Sequence, residues 1–198
     1  MVFARAPMPG ASKTRLIPAL GDEGAAALQK KMIIHIVKKI NLCNLSPVDL
    51  FCTPTMDAPV FRYCAETYRA RRVLQVGADL GMRMYHAFEQ ALEEHPWAIL
   101  IGSDCPSTQC SDLRGALAHL QAGGDAVIGP AADGGYYLIG LRSNNRSLFA
   151  GIPWGTQQVF ALTEKVMKTL AWDVRVLPVR RDIDTPQDLA YLPELEQQ

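Results

Sequence analysis

The apolar run WAILI at residues 97–101 constrains the fold of this chain more than any other segment. A run of this length, followed by Gly102 and Pro106, predicts a strand buried on both faces, as in parallel sheets covered by helices. In open α/β sheets, ligands bind just beyond the carboxyl ends of such strands. Asp104 stands at that end and is a candidate ligand for a hard cation such as Mg²⁺. Because Asp near Pro also starts turns, placement alone leaves a structural role open.

Segments of helical periodicity alternate with strand-like runs through the first half of the chain. Strands are predicted at residues 1–6, 48–53, 72–76 and 97–101, and helices that begin at Asp22, at Asp57 with Pro59, at Asp79 and at Ser111. His35 and the lysines around it fall on the polar side of the first helix, where we expect solvated surface. This alternation predicts an α/β protein with a mostly parallel sheet.

The pattern changes after residue 124. Two β-rich runs at residues 125–129 and 136–141 flank the loop 130–135, which predicts a hairpin-like excursion at the sheet end and a mixed sheet. Three later elements are predicted: a helix from Thr156 to about Leu170, a strand at residues 173–177, and a helix that begins with a capping box at Thr185 and Asp188. Since no repeat or linker divides the chain, we predict one three-layer α/β/α domain over residues 1–198.

Composition argues against several classes of function. The chain carries 20 Lys and Arg residues against 20 Asp and Glu residues, so no net positive charge attracts nucleic acid. It has no run of about 18 apolar residues that could span a membrane, and no basic and apolar signal segment. We therefore expect a cytoplasmic protein that acts on small molecules, with no nucleic-acid or membrane partner.

The chain has five cysteines, an odd number with no C-x-x-C pair: Cys43, Cys52, Cys64, Cys105 and Cys110. This pattern argues against a disulfide framework and a zinc knuckle, and we expect small buried thiols in a reducing compartment. Cys105 beside Asp104 is a conceivable nucleophile, but no His stands near it in the sequence to activate it.

The loop after the first predicted strand carries two cations. Lys13 and Arg15 follow the small residues from Gly10 to Ser12, and such a loop exposes backbone N–H groups to an anion. It is not a Walker A motif, because Pro7 and Ser12 stand where two glycines would be. The Lys13 ammonium is a compact charge, and the Arg15 guanidinium can bind a phosphate through two N–H groups. Their position after the first strand predicts phosphate binding, and a solvated surface pair is the alternative.

Two further carboxylates, Asp182 and Asp184, precede the capping box. If the late strand brings them to the mouth of the sheet, they can complete the coordination of a cation held by Asp104. Their alternative role lies at the start of the helix, because Asp suits the N-terminal end of the helix dipole.

Glycine and aromatic residues form a third candidate segment. Gly134 and Gly135 permit close backbone approach to a ligand, while Tyr136 and Trp154 could stack on a ring. Thr156 or Gln157 offers a hydrogen bond to the same ligand. Strand alternation allows only one of the two neighbouring tyrosines to face a site, and Trp154 is alternatively a core residue.

Five ordered groups of motifs run through the chain: FARAPMPG with KTRL at residues 3–16, DLGMRM at 79–84, GSDCP at 102–106, DGGYYLIG at 133–140 and DIDTP at 182–186. As a set, from Phe3 to about Leu192, they resemble a bacterial family of uncharacterised, glycosyltransferase-like proteins of the nucleotide-diphospho-sugar transferase superfamily. The resemblance implies the glycosyltransferase A-type fold. More remotely, the chain is similar to phospholactate guanylyltransferases and to molybdenum-cofactor nucleotidyltransferases.

The resemblance implies a role for each charged residue: Lys13 and Arg15 on the nucleotide phosphates, Asp104 on a Mg²⁺ or Mn²⁺ ion, and Asp182 or Asp184 at the second metal position. Two residues depart from the family pattern. Arg5 stands where the family usually has Lys, which keeps the charge of a substrate-binding side chain. Gly155 stands where Ser is common, which removes a hydroxyl contact.

We expect a transferase that depends on Mg²⁺ (or Mn²⁺) and uses a nucleotide or a nucleotide-sugar with a small-molecule acceptor. Nucleotidyl transfer to a phosphate or carboxylate is slightly favoured, because the attacking oxygen is already ionised and no motif supplies a His as base. Glycosyl transfer is the alternative, since such enzymes of this fold commonly present two carboxylates where this chain has only Asp104. A non-catalytic nucleotide-binding module is a third hypothesis, and a homodimer is a further expectation.

Overall fold

The computed structural model describes residues 1–45 and 47–192. The strands are β1 (Val2–Arg5), β2 (Asp49–Thr53), β3 (Arg71–Leu74), β4 (Ala98–Gly102), β5 (Ala126–Pro130), β6 (Tyr136–Leu141) and β7 (Val174–Val176). The α-helices are α1 (Ile17–Cys43), α2 (Pro59–Tyr68), α3 (Leu80–Glu94), α4 (Cys110–Gln121) and α5 (Val159–Thr169). Short 3₁₀ helices are formed by Thr14–Leu16, Arg146–Leu148 and Pro186–Tyr191. The predicted α/β class is confirmed.

The seven strands of the described residues belong to one mixed sheet in the order β3-β2-β1-β4-β6-β5-β7. β1 is parallel to β2, with Val2 opposite Leu50, and β2 is parallel to β3. β6 is antiparallel to β4 and to β5, and β7 is parallel to β5. The mostly parallel mixed sheet is therefore confirmed, and the β5–β6 hairpin places β6 in the interior of the strand order.

The chain forms two compact units. Unit 1 comprises residues 1–74, 102–110 and the described residues from 181 onward, and unit 2 comprises residues 75–101 and 111–180. Unit 1 therefore consists of three separate stretches of sequence. The single domain expected from the sequence stays a prediction.

Helix α1 supplies much of the core of unit 1. Its buried side chains include an apolar stripe formed by Leu28, Met32, Ile33, Ile36 and Val37. The helix begins at Ile17, earlier than predicted, but Gly21 interrupts it with a φ of 70° and a ψ of 169°. Because only glycine adopts this conformation readily, regular helix resumes at Asp22, the predicted start. Neither α1 nor any other helix in the described part of the chain is long and apolar enough to cross a membrane.

Helix starts were predicted with mixed success. Asp79 caps α3 as predicted, and its carboxylate accepts a hydrogen bond from the Met82 N–H at 2.8 Å. The other starts are shifted: Ala58 rather than Asp57 precedes α2, Ser111 lies inside α4 rather than before it, and Gln158 rather than Thr156 precedes α5. Leu80, the first residue of α3, is 45% exposed although its side chain is apolar. Local capping rules therefore located these helices without fixing their first residues.

A disulfide joins Cys43, at the end of α1, to Cys110, at the start of α4. The prediction that all five cysteines are reduced thiols is therefore wrong for this pair. The two cysteines are 67 residues apart in sequence, and only the fold brings their Cα atoms to 5.7 Å. The other three cysteines are outside any disulfide and are buried, as expected.

Candidate active site

The loop after β1 is closed by the side chain of Ser12. Its hydroxyl accepts a hydrogen bond from the Met8 N–H at 2.8 Å and donates one to the Ala6 carbonyl at 3.0 Å. The N–H groups of Ala11 and Ser12 both donate to the Met8 carbonyl, and Gly10 takes a positive φ of 73° in the turn. These two amides are used within the loop rather than offered to an anion. The serine that excludes a Walker A motif thus fixes the turn before Lys13.

Lys13 is a buried cation that bridges two carboxylates. Its φ of 47° and ψ of 46° are left-handed, which costs a non-glycine residue roughly 1–2 kcal/mol. Its side chain is only 3% exposed, and Nζ donates to the Ile183 carbonyl oxygen at 2.7 Å. The same Nζ lies 3.3 Å from Asp104 Oδ1 and 3.6 Å from Asp184 Oδ1. Of these three oxygens, the Ile183 carbonyl accepts a hydrogen bond, and the two carboxylates form ion pairs with the ammonium.

Arg15 is the more accessible of the two predicted phosphate ligands. Its side chain is 66% exposed, and Nη1 lies 2.6 Å from Asp184 Oδ2. A guanidinium carries five N–H donors, so this contact leaves most of them for a bound anion. Arg5 is also exposed, at the end of β1. The predicted Lys13–Arg15 pair is therefore split into one buried and one exposed cation.

Asp104 follows β4, as predicted, and presents one carboxylate oxygen to solvent. Oδ1 receives hydrogen bonds from Gln29 Nε2 at 3.3 Å and from Ser103 Oγ at 3.4 Å, besides its contact with Lys13. The side chain is 52% exposed. Every hydrogen bond and ion pair that this carboxylate makes with described residues goes through Oδ1, which leaves Oδ2 without such a partner among them and available to a ligand.

Gln29 is a site residue that the sequence analysis missed. It lies on α1, is 4% exposed, and its amide nitrogen also approaches Ser103 Oγ at 3.4 Å. A buried amide is costly unless it is hydrogen-bonded, so this side chain and the Asp104 carboxylate fix each other. The sequence does contain a sign of its role: Gln29 is polar but lies four residues from Ala25 and from Ile33, on the apolar face of the same helix.

Ile183 anchors the segment between the two late carboxylates. Its side chain is 1% exposed and belongs to a core cluster with Leu16, Leu28 and Met32. Its N–H donates to the Asp104 carbonyl at 3.0 Å, while its own carbonyl accepts from Lys13. Burial of one apolar side chain therefore holds the backbone next to Asp104.

The predicted capping box at Thr185 and Asp188 is confirmed. Asp188 Oδ2 accepts hydrogen bonds from Thr185 N at 2.8 Å, Thr185 Oγ1 at 2.7 Å and Asp184 N at 3.2 Å. Burial raises the pKa of Asp188, but these hydrogen bonds and the charge of Arg181 outweigh it and hold the pKa below its usual value. An ionised Asp188 thus fixes the backbone of Asp184.

The oxygen ligands present suit a hard cation. Among residues 1–45 and 47–192, no group of three or more His, Cys, Asp or Glu side chains is arranged to hold a metal ion. The structure brings Asp104 and Asp184 to one ammonium, and Asp182 is half-buried in the same segment. Mg²⁺ and Mn²⁺ need only one or two protein carboxylates when water and phosphates supply the other ligands. Asp104 and Asp184 therefore fit such an ion.

The loop after Asp104 is held by two residues of α1. Lys39 Nζ donates to the carbonyls of Pro106 and Thr108, both at 2.8 Å. His35 is half-buried, and burial, followed by the charge of Lys39, lowers its pKa. The prediction of plain solvated surface is wrong for these two side chains. They tie the helix to the loop that follows the candidate metal ligand.

Cys105 does not have the surroundings of a catalytic nucleophile. The thiol is 2% exposed, and Sγ donates to the Arg181 carbonyl at 3.3 Å. Ser107 Oγ lies 3.4 Å from the same sulfur. A buried thiol among hydrogen-bonding partners, with no base among those contacts, is a structural residue.

The aromatic candidates lie in unit 2. Tyr136 and Trp154 form an edge-to-face pair with ring centroids 6.3 Å apart. The Tyr136 hydroxyl donates to Met84 Sδ at 3.7 Å, and burial raises the pKa of this phenol. Tyr137 is 3% exposed and donates to the Pro178 carbonyl at 3.3 Å. Both tyrosine hydroxyls therefore have partners within unit 2.

Gly134 and Gly135 lie close to other segments of the protein backbone or to a neighbouring side chain. A Cβ on Gly134 would collide with the backbone of Gln157, and the Gly135 N–H donates to Asp133 Oδ1 at 2.8 Å. The Thr156 hydroxyl donates to the Pro153 carbonyl at 2.8 Å. These contacts explain the glycines without a ligand, so ligand binding by this segment stays a prediction.

Solved structures with this fold are nucleotidyl- and glycosyltransferases. CMP:2-keto-3-deoxy-manno-octonic acid synthetase complexed with CTP aligns with a TM-score of 0.60 and 13% identity, over 100% of this chain and 97% of that chain. Glucosyl-3-phosphoglycerate synthase from Mycobacterium tuberculosis, in complex with Mn²⁺, UDP and glucosyl-3-phosphoglycerate, aligns with a TM-score of 0.54 and 14% identity, over 100% and 75%. At these identities the likeness shows the fold, that of nucleotide-diphospho-sugar transferases.

A more similar structure narrows this class to a family. A protein from Desulfovibrio desulfuricans G20, provisionally named a nucleotide-diphospho-sugar transferase, is 36% identical with a TM-score of 0.86, over 96% of this chain and 84% of that chain. The family described as "Uncharacterized protein conserved in bacteria (DUF2064)" matches residues 36–156, and the chain belongs to it. No curated protein matches the sequence. The resemblance predicted from the motifs is confirmed, and the neighbours support a transferase.

Proposed function

We propose that this protein is a divalent-metal-dependent transferase that moves a nucleotidyl group from a nucleotide to a phosphate or carboxylate of a small acceptor. One observation carries the proposal: the half-exposed Asp104 carboxylate, at the carboxyl end of β4, has Oδ2 open while buried Lys13 neutralises Oδ1. The carboxyl end of a strand is where α/β proteins bind nucleotides. An exposed arginine, Arg15, forms an ion pair with Asp184, the second carboxylate near Lys13.

Each charged residue then has a role. Asp104 and Asp184 would hold a Mg²⁺ or Mn²⁺ ion, which when bound neutralises charge on the donor phosphates. Arg15 binds those phosphates through the N–H groups that it does not use for Asp184. The acceptor oxygen is already ionised, so no residue has to remove a proton from it. The chain has to position donor and acceptor and to neutralise the charge of the donor phosphates. The neighbours solved with CTP and with UDP and Mn²⁺ support a nucleotide donor and a divalent ion.

Glycosyl transfer from a nucleotide-sugar is the second candidate. The observation in its favour is that Asp184 brings a second carboxylate to the ammonium that contacts Asp104. We rank it lower because the turn after β4 carries a single carboxylate, flanked by the buried Ser103 and Cys105. A metal bound there receives fewer protein charges than two adjacent carboxylates would supply.

The leaving group distinguishes the two reactions. The protein is incubated with Mg²⁺, a pool of phosphorylated and carboxylic acceptors, and either the four ribonucleoside triphosphates or a set of nucleotide-sugars. Pyrophosphate release supports nucleotidyl transfer, whereas release of a nucleoside diphosphate from a nucleotide-sugar identifies a glycosyltransferase. Binding of nucleotide without turnover identifies a binding module. Asp104→Asn should abolish turnover. Asp57→Asn is the matched control, because Asp57 is 80% exposed and its ion pair with Arg72 is long, at 3.6 Å.

A further inference from the structure

The two carboxylates that suit a metal already have a cation. Lys13 Nζ lies 3.3 Å from Asp104 and 3.6 Å from Asp184, and its side chain is 3% exposed. Its remaining contact is a hydrogen bond to the Ile183 carbonyl oxygen at 2.7 Å, so the ammonium lies among three oxygens in a place that solvent hardly reaches. Because its side chain is buried, Lys13 offers almost no surface to a phosphate while it stays in this position.

We propose that Lys13 is the internal counter-ion of the Asp104–Asp184 pair, and that a divalent cation binds this pair only in exchange for the ammonium. The inference rests on the proposed function, in which these carboxylates hold the metal. It differs from the role implied by the family resemblance, in which Lys13 simply holds phosphates. In the exchange, Lys13 becomes available to an anion only after the metal has taken its place.

Electrostatics favours exchange over addition. A divalent ion and an ammonium bound to the same two carboxylates would be like charges within a few ångströms of each other, and the Lys13 side chain, at 3% exposed, has little water around it to screen them. The ammonium must therefore leave as the metal arrives. Because a buried ammonium has to regain partners elsewhere, the metal alone should bind weakly to the wild-type protein.

The backbone near Lys13 and near its carbonyl partner Ile183 is held in place. Ser12 fixes the preceding turn with two hydrogen bonds, and Ile183 is fixed by its buried side chain and by its N–H bond to Asp104. Between these anchors, the lysine has a flexible four-carbon stem. We therefore place the movement of the exchange in the Lys13 side chain.

Binding of Mn²⁺ alone tests the exchange. Free Mn²⁺ is titrated by electron paramagnetic resonance with the wild-type chain, with Lys13→Met and Lys13→Gln, and with Lys31→Met as a control at an exposed position of α1. Removal of the competing charge should tighten Mn²⁺ binding about tenfold or more in both Lys13 variants, equivalent to about 1.4 kcal/mol. Lys31→Met should bind as the wild type does. Equal or weaker binding by the Lys13 variants would overturn the inference, as would a lack of binding by every protein.

A second measurement uses the wild-type chain and does not depend on how the variants fold. Acetylation of lysines by an amine-directed reagent is followed by mass spectrometry with and without Mn²⁺. Lys13 should resist acetylation in the absence of metal and become several-fold more reactive with it, while Lys31 should not change. An unchanged Lys13 would contradict exchange.

The inference and the proposed function fail separately. Transfer activity together with equal Mn²⁺ affinity in the wild type and in Lys13→Met would overturn the exchange and leave the function standing. Tighter Mn²⁺ binding by Lys13→Met, without turnover of any nucleotide or nucleotide-sugar, would support the exchange and remove the function.

Discussion

Replacement of Asp104 by Asn tests the site with the smallest change of shape. Asn keeps an oxygen that can occupy the Oδ1 position, where Gln29 and Ser103 donate their hydrogen bonds. It replaces the open Oδ2 by an amide nitrogen, which cannot bind a cation. The substitution therefore removes the charge and the ligand atom, and it leaves the packing in place.

The cost in stability should be small. The interaction lost is an ion pair of 3.3 Å with Lys13, in which the Asp104 side chain is 52% exposed. Pairs with an exposed partner contribute about 0.2–1 kcal/mol, and Lys13 keeps Asp184 and the Ile183 carbonyl. For a chain of this size, 1 kcal/mol corresponds to a melting shift of about 2–4 °C. Because the ammonium lies between the two acids, neutralising one of them relieves no repulsion, so a rise in Tm is not expected.

The cost in activity should be large. If Asp104 holds the metal that neutralises the donor phosphates, its loss removes stabilisation made in the transition state, and such losses reach roughly a hundredfold to a thousandfold in kcat. Thermal unfolding and the transfer assay are run on the wild type, Asp104→Asn and Asp57→Asn. A fall in Tm of more than about 10 °C with transfer activity intact would refute this reasoning, because it would make Asp104 a structural turn residue.

Three further predictions concern the surroundings of the site. Gln29→Met should leave Tm within about 4 °C but lower kcat several-fold, because Asp104 loses a buried donor that orients it; an unchanged kcat in the transfer assay would reject this role. Ser12→Ala should lower Tm by roughly 4–10 °C, because a backbone N–H and a carbonyl lose their partner at a cost of about 1–3 kcal/mol; a Tm equal to that of the wild type would contradict it. In the folded chain, His35 has a pKa below its usual 6.5. Between the folded pKa and 6.5 the unfolded chain therefore binds more protons than the folded chain, so stability falls as the pH drops below 6.5. Melting temperatures at pH 7.5 and 5.5 should therefore differ more for the wild type than for His35→Gln, and equal differences would show that His35 is not responsible.

The sequence predicts those features of the fold that depend on local chemistry. The Asp79 cap, the capping box at Thr185 and Asp188, and the β5–β6 hairpin each follow from a few neighbouring residues, and each is present. The position of Asp104 follows from one apolar run and a general rule of α/β sheets. Such features do not require knowledge of what lies across the sheet.

The features that could not be predicted are contacts between distant segments. The disulfide between Cys43 and Cys110 and the hydrogen bond from Gln29 to Asp104 join positions that no spacing rule connects. Lys13 was assigned to phosphates from its charge, its place after the first strand and the family resemblance. Its burial could not be predicted, because it depends on Ile183 and Asp184, about 170 residues away. Tertiary packing thus determines which of two similar cations is exposed.

The three stretches of unit 1 impose an order on the appearance of the site during synthesis. Lys13 leaves the ribosome before Asp104. Ile183 and Asp184, which supply the other two oxygens around the Lys13 ammonium, follow later. A nascent chain therefore carries the lysine and the first carboxylate long before their partners exist. A fragment that stops just before Asp182 retains four of the five groups of motifs yet lacks two of the three oxygens around Lys13. Truncated products should accordingly be inert toward metal and nucleotide, and shortened forms of this protein for binding studies must keep the DIDTP segment.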